Sequence, residues 1–274
     1  MTEFGDTLRW SWVMGGLARD YVQGYVDSAA GIHSGADLHA RLAAHWLDVG
    51  EAAAMPIDPR LWTEAPIRST YPACMAVKAA AEQPGHEEPA ETAPAYRYLR
   101  ALREGLMCFR RKLDTAEPLV EEARAAGLDP VRFRRSLESH AIVEAFRTDL
   151  EGARDPPQGA HEAGQVREQA TVGDRVTFPS TYYLDDRGGW WGIYGYRPYE
   201  EHRAAAEAAG ARRDEAPPPD PLEALRRFGR MATTEVKAVC DLPGPRAPAA
   251  LWTLASEWRV RPIPVLAGHL WEVA

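Results

Sequence analysis

The sequence predicts an α/β protein with a large helical middle and a small module of three helices and two strands at its C-terminal end. Three observations carry this. Apolar and polar residues alternate at 8–14. β-formers flank a turn within 175–196. Between these two stretches the apolar spacing is helical, from residue 17 to about residue 150.

The first element follows from Leu8, Trp10, Trp12 and Met14, which share one face of a period-2 segment, with Arg9, Ser11 and Val13 opposite. Gly15-Gly16 reads as its stop. A core strand beginning so near Met1 points to an earlier partner strand that this chain does not carry. Residues 17–50 then read as helical, with a loop near Gly31 to Gly35 and Asp37 as an N-cap before Leu38, Leu42 and Trp46. Met55 to Trp62 is a proline-broken connection. Ser69-Thr70-Tyr71-Pro72 supplies a hydroxyl cap and a first-turn proline for a helix reaching Ala81. Pro84 to Pro94 reads as a loop.

Three more helices are expected: Ala95 to Lys112, Glu117 to Ala126 with Gly127 past its end, and one from Asp129-Pro130 to about Leu150. Arg175 to Leu184, the turn Asp185 to Gly189, and Trp190 to Tyr196 then read as a β-hairpin. Pro198 to Gly210 is a helix. Arg212 to Pro221, with its Pro217-Pro218-Pro219 run, is the best linker. Helices at Pro221–Phe228, Thr234–Cys240 and Pro248–Glu257, then strands near Arg259–Ile263 and His269–Val273, outline a winged helix.

Composition narrows the function. Lys+Arg is 32 against 40 Asp+Glu, for a net charge of −8, which argues against charge-driven binding to nucleic acid or to an anionic membrane. The C-terminal residues 217–274 are close to neutral, and Pro248 to Ala255 offers no Arg or Lys for phosphates. A docking or dimerisation role therefore fits that module better than DNA binding. No apolar run is long enough to span a bilayer, and the first residues lack a signal-peptide pattern. Three widely separated cysteines, 74, 108 and 240, form neither a CxxC pair nor a zinc spacing, and point to a reducing cytoplasm.

Few residues stand out for chemistry. Cys74 lies in the first turn of its helix, where a thiolate is favoured, so it is the candidate reactive thiol. Read plainly, it is a small packed apolar residue. Cys108 and Cys240 read as structural. His33, His39 and His45 are six apart, a spacing that shares no helical face, so no metal site is expected. Nucleotide-binding glycine loops and a GxSxG elbow are absent.

Several local wordings resemble the DsbA-like branch of the thioredoxin superfamily, in which a helical domain is inserted into a thioredoxin fold. Trp12-Val13-Met14-Gly15-Gly16-Leu17 is similar to that branch's second strand and its exit. Ser69 to Ala80 is similar to its S-x-x-P-x-x-A-x-K-A-A helix, and Gly127 to Phe133 to its G-L-D-x-x-x-F turn. Phe178-Pro179 followed by Ser180-Thr181-Tyr182 is similar to its cis-proline loop. The resemblance covers roughly residues 8–210, and the nearest subgroup is the cytoplasmic one of FrnE-type isomerases and the Spx-degradation adaptor.

That resemblance implies a partial thioredoxin-like domain from 1–16 and 155–211, a helical insertion at 17–154, a linker at 212–220 and the winged-helix-like module at 221–274. It implies a substrate cleft at Phe178, Pro179, Trp12 and Met14, with a cis Pro179 placing backbone groups opposite an extended peptide. The ordinary alternative is a trans-proline at an edge-strand start. The branch's first strand and CxxC helix, about thirty to forty residues, have no counterpart here, through a misplaced start or a true loss. Catalytic residues are thus unknown.

Three functions follow: a dithiol–disulfide oxidoreductase or isomerase homologue, a redox-inactive adaptor holding a peptide in the cis-proline cleft, or a glutathione-dependent small-molecule isomerase. Partners are a protein or peptide thiol substrate or a partner protein. No cofactor is required, glutathione being the one candidate. An uncovered sheet edge and face predict self-association.

Overall fold

The computed structural model describes residues 3–85, 93–168, 173–214 and 216–274. In chain order the elements are β1 (Val26–Asp27), β2 (Ile32–His33), α1 (Leu38–Ala53), α2 (Leu61–Glu64), α3 (Tyr71–Ala81), α4 (Pro94–Met107), α5 (Ala116–Ala125), α6 (Pro130–Leu137) and α7 (His140–Ala153). They continue with α8 (Gln158–Glu162), β3 (Val166–Arg167), β4 (Arg175–Val176), β5 (Ser180–Leu184), β6 (Trp190–Tyr194) and α9 (Tyr199–Ala208). The last are α10 (Pro221–Phe228), β7 (Met231–Ala232), α11 (Thr233–Val239), α12 (Arg246–Ser256), β8 (Val260–Val265) and β9 (Gly268–Val273). No described helix is long and apolar enough to cross a membrane. Most of the loop expected at 84–94 lies outside the described residues.

The chain forms two compact units: residues 1–38, 68–98 and 114–215, and residues 39–67, 99–113 and 216–274. In the first, the strands pair only as two-stranded ladders, β1 with β2, β3 with β4, and β5 with β6. One continuous thioredoxin-type sheet is therefore not formed among the described residues.

The expected strand at 8–14 is a correction. These residues are extended but join no ladder. The alternation is nevertheless real: Leu8, Trp10 and Trp12 are half-buried and Met14 is buried, while Arg9, Ser11 and Val13 are exposed. Side-chain alternation reports the face that is covered, not whether a neighbouring strand takes the backbone hydrogen bonds. Here the Met14 N–H donates instead to Asp149 Oδ2 on α7 (2.8 Å).

The expected helix across 17–30 is a second correction. Asp20 Oδ1 accepts from the Val22 and Gln23 N–H groups, and Asp27 Oδ1 from Ala30 N–H, which closes turns in place of a helix. Gly24 and Gly31, with φ of +74° and +64°, supply the left-handed backbone these turns require. The helix expected from Pro130 to Leu150 is two helices, because Ser139 leaves the helix and its Oγ caps Ile142 N–H (3.4 Å).

Elsewhere local chemistry and structure agree. Asp129 Oδ1 accepts from Val131 and Arg132 N–H at 2.9 and 3.1 Å, and Pro130 opens α6. The first unit's helical core centres on Tyr98, fully buried, whose ring lies 4.9 Å from that of Phe133 and whose hydroxyl donates to the Leu119 carbonyl (2.8 Å). The β5–β6 hairpin pairs Ser180 with Tyr194 and Leu184 with Trp190. Its Tyr183, Trp191 and Ile193 face packs with Phe4 and the alanines of α9.

The second unit contains the C-terminal elements, whose three-stranded sheet has the order β7-β9-β8. β7 is an element the sequence reading did not anticipate; two residues carry no periodicity to read. Leu222, Leu225, Val236, Leu251 and Trp271 form its core. Cys108, Met107 and Phe109 from the end of α4 pack with Val265 and Leu270 of the sheet. Arg100 of α4 holds Glu235 of α11 through Nη1 and Nη2 at 2.8 and 2.7 Å. Asp58, only 1% exposed, receives Arg60 Nε (2.9 Å), Arg60 Nη2 (2.6 Å) and Arg110 Nη1 (2.5 Å).

Candidate functional site

The Phe178–Pro179 peptide bond is cis, and it lies between β4 and β5. Three hydrogen bonds frame it. Thr177 N–H donates to the Gln165 carbonyl (2.9 Å), Ser180 Oγ to the Thr177 carbonyl (2.6 Å), and Gly195 N–H to the Pro179 carbonyl (2.8 Å). Pro179 is exposed and Phe178 half-exposed.

The ring of Phe178 rests on Gly15. A Cβ there would stand 2.0 Å from Phe178 Cζ, so only glycine allows this approach. Gly16 is equally constrained, with φ +57° and with Leu150, Phe146 and Tyr71 within 2.6–3.0 Å of a would-be Cβ. Arg154, at the C-terminal end of α7, secures the segment by donating to the Gly16 carbonyl and the Tyr71 hydroxyl at 3.3 and 3.2 Å. Asp149, which takes Met14 N–H, is paired with Lys78 Nζ at 3.0 Å.

Of the four cleft residues read from the sequence, Phe178 and Pro179 share the cis bond, and Gly15, the neighbour of Met14, touches the Phe178 ring. Trp12 turns elsewhere: its ring lies 5.0 Å from that of Trp10 and 6.2 Å from that of Tyr96. Sequence reasoning missed Gly15, Arg154, Asp149 and Arg175. The double glycine was the available signal, but it reads equally well as a strand stop. The arginines and the aspartate carry no local motif.

Arg175 stacks over the Phe178 ring, its Cζ 4.6 Å from the centroid. It is 3% exposed. Its Nη1 donates to the Val176 carbonyl (3.1 Å), and its Nη2 lies 3.8 Å from Asp27 Oδ2. Burial pushes the Arg175 pKa down against the opposing pull of Asp27.

Cys74 is reached by the Gly16 backbone. Burial pushes its thiol up to about 11, outweighing the hydrogen bond from the Gly16 backbone, and Asp149 adds to the rise. The first-turn position does not make a thiolate here, because desolvation of the charged form is the larger effect. Cys108 is pushed up to about 12, chiefly by burial and then by Glu104, and its Sγ donates to the Pro56 carbonyl (3.2 Å). Burial takes Cys240 to about 11. All three are free thiols. Among the described residues no group of three or more His, Cys, Asp or Glu side chains is placed to hold a metal ion.

The C-terminal sheet carries a second surface feature. Trp252 of α12, His269 and Trp271 form an aromatic cluster with centroids 5.0–5.7 Å apart, and Trp252 is 49% exposed. Trp258, just past α12, is 87% exposed with φ +59°.

Comparison with known proteins adds the following. A family described as Thioredoxin matches residues 23–156. The ClpXP adapter protein SpxH of Halalkalibacterium halodurans is 28% identical over 245 residues, covering 88% of this chain and 72% of the relative. The SpxH of Shouchella clausii is 27% identical over 205 residues, covering 74% and 60%. That of Bacillus licheniformis is 26% identical over 235 residues, covering 85% and 70%. The chain is thus similar, over most of its length, to proteins named as adapters, and a thioredoxin-superfamily relationship is supported for residues 23–156.

Proposed function

We propose that this chain is an adaptor: it binds a protein partner and presents it to a ClpXP-type protease, with no thiol chemistry of its own. The observation that carries the reading is the similarity to three SpxH adapters over 74–88% of the chain. The thiols support it. Nucleophilic attack requires a thiolate, and burial holds all three described cysteines in the neutral form at physiological pH. The adaptor reading therefore takes precedence over the oxidoreductase one, and the DsbA- and FrnE-like details of the resemblance carry no further weight in it.

Two surfaces serve such a role. The cis-proline loop, with exposed Pro179 and half-exposed Phe178 backed by Gly15, is a surface for an extended segment of the partner. We read the C-terminal elements as winged-helix-like, and their exposed Trp252 face as a protein-docking surface rather than a nucleic-acid one. Phosphate contacts would need cations, and the α12 sequence beyond Arg246 has none.

The test is a reconstituted degradation assay with ClpXP, ATP and Spx, run with and without this chain. Accelerated loss of Spx supports the reading. An unchanged rate, together with reduction of insulin disulfides by this chain, would replace it with the oxidoreductase reading.

A further inference from the structure

We infer that the surface beside Phe178–Pro179 recognises a segment bearing a carboxylate, and that Arg175 is the residue that reads it. This rests on the partner-binding reading above and names the chemistry of what is bound. A guanidinium offers five N–H donors in a fixed fork. Arg175 uses them poorly. One bond goes to the adjacent Val176 carbonyl, and the approach to Asp27 at 3.8 Å is too long for a direct hydrogen bond. The buried Nε–H has no partner, and neither does the buried hydroxyl of Thr177, two residues along and next to the cis peptide bond.

Asp27 is not free to close the gap, because its Oδ1 already accepts Ala30 N–H in the turn between β1 and β2. Around the guanidinium, Asp27 and Tyr25 favour its charged form, while Arg167 and Arg154 oppose it. A buried cation in such a setting is completed by an anion able to accept from two N–H groups at once, which is what a carboxylate does. The half-exposed Phe178 ring lies over the guanidinium, so a ligand reaches the unpaired donor only by displacing that ring.

The experiment is fluorescence anisotropy with a panel of labelled nonapeptides of alternating valine and serine, each with a central aspartate or its uncharged isostere asparagine. We expect the aspartate peptides to bind about tenfold more tightly, a gap that high salt narrows. Arg175→Gln removes the gap, and Arg175→Lys keeps only part of it. If Arg175→Gln fails to fold, wild-type protein labelled with ¹⁵N-arginine still decides. The Arg175 Nε–H resonance, assigned by its absence from Arg175→Lys, is expected to shift with the aspartate peptide and not with the asparagine one. Equal binding of the two peptides would overturn the carboxylate inference while leaving the binding surface intact. Binding of neither would remove both.

Discussion

Asp58→Asn should weaken the second unit by an amount that the geometry sets. The carboxylate is 1% exposed and takes two guanidinium groups and the Arg60 backbone N–H. The hydrogen bonds from Arg60 outweigh desolvation and, with those from Arg110, hold its pKa at about 2 rather than 3.8. By linkage that depression corresponds to at most about 2.5 kcal/mol. Arg60 and Arg110 are 49% and 34% exposed, so solvent screens the pair and about 1–2 kcal/mol is the figure expected. The folded-state pKa is the lower one, so the stabilisation is complete above about pH 4 and is lost as pH falls through about 2. The assay is urea denaturation of wild type and variant from pH 7 downward. Their midpoints should differ at neutral pH and converge on acidification. A variant as stable as wild type at pH 7, or a difference that persists near pH 2, would refute the reasoning.

Other substitutions have narrower consequences. Tyr98→Phe removes a hydroxyl bonded to the Leu119 carbonyl in a fully buried site, and should cost about 1 kcal/mol by urea midpoint. Asp129→Ala deletes the acceptor for two N–H groups at the start of α6 and should cost a similar ~1 kcal/mol, read in the same way. Gly15→Ala drives a methyl into the Phe178 ring. The ring is half-exposed and can give way, so the cost should fall near the low end of the overpacking range, about 1 kcal/mol. With Cys74 raised from 9.0 to about 11, its thiolate fraction at neutral pH should be about a hundredfold below that of an ordinary thiol. Ellman's reagent should therefore label the native chain slowly and the urea-unfolded chain fast.

What could be read from the sequence were local devices with their own chemistry. Asp129-Pro130 and Asp220-Pro221 mark helix starts because a carboxylate cap accepts from orphaned N–H groups and a first-turn proline has no N–H to leave unpaired. The β5–β6 hairpin follows from its turn and its β-formers. At 8–14 the covered face was legible, but the absence of a ladder was not, since pairing depends on residues elsewhere. Residues 17–30 read as helical because apolar spacing outweighed Asp20, Asp27 and Gly24, whose turns took the backbone hydrogen bonds first. The site divides in the same way. Phe178, Pro179 and Met14 were visible through short wordings. Arg154 acts on Gly16 from a distant position in the chain, which no spacing rule links, and Arg175, three residues before Phe178, belongs to no motif that would mark it.

The measurement closest to the central claim is the ClpXP degradation assay repeated with a chain in which Cys74, Cys108 and Cys240 are all replaced by alanine. The account predicts that the variant, once shown to fold, accelerates Spx degradation as well as wild type does, because binding and not thiol exchange is the function. Loss of that acceleration in a folded cysteine-free chain would contradict it.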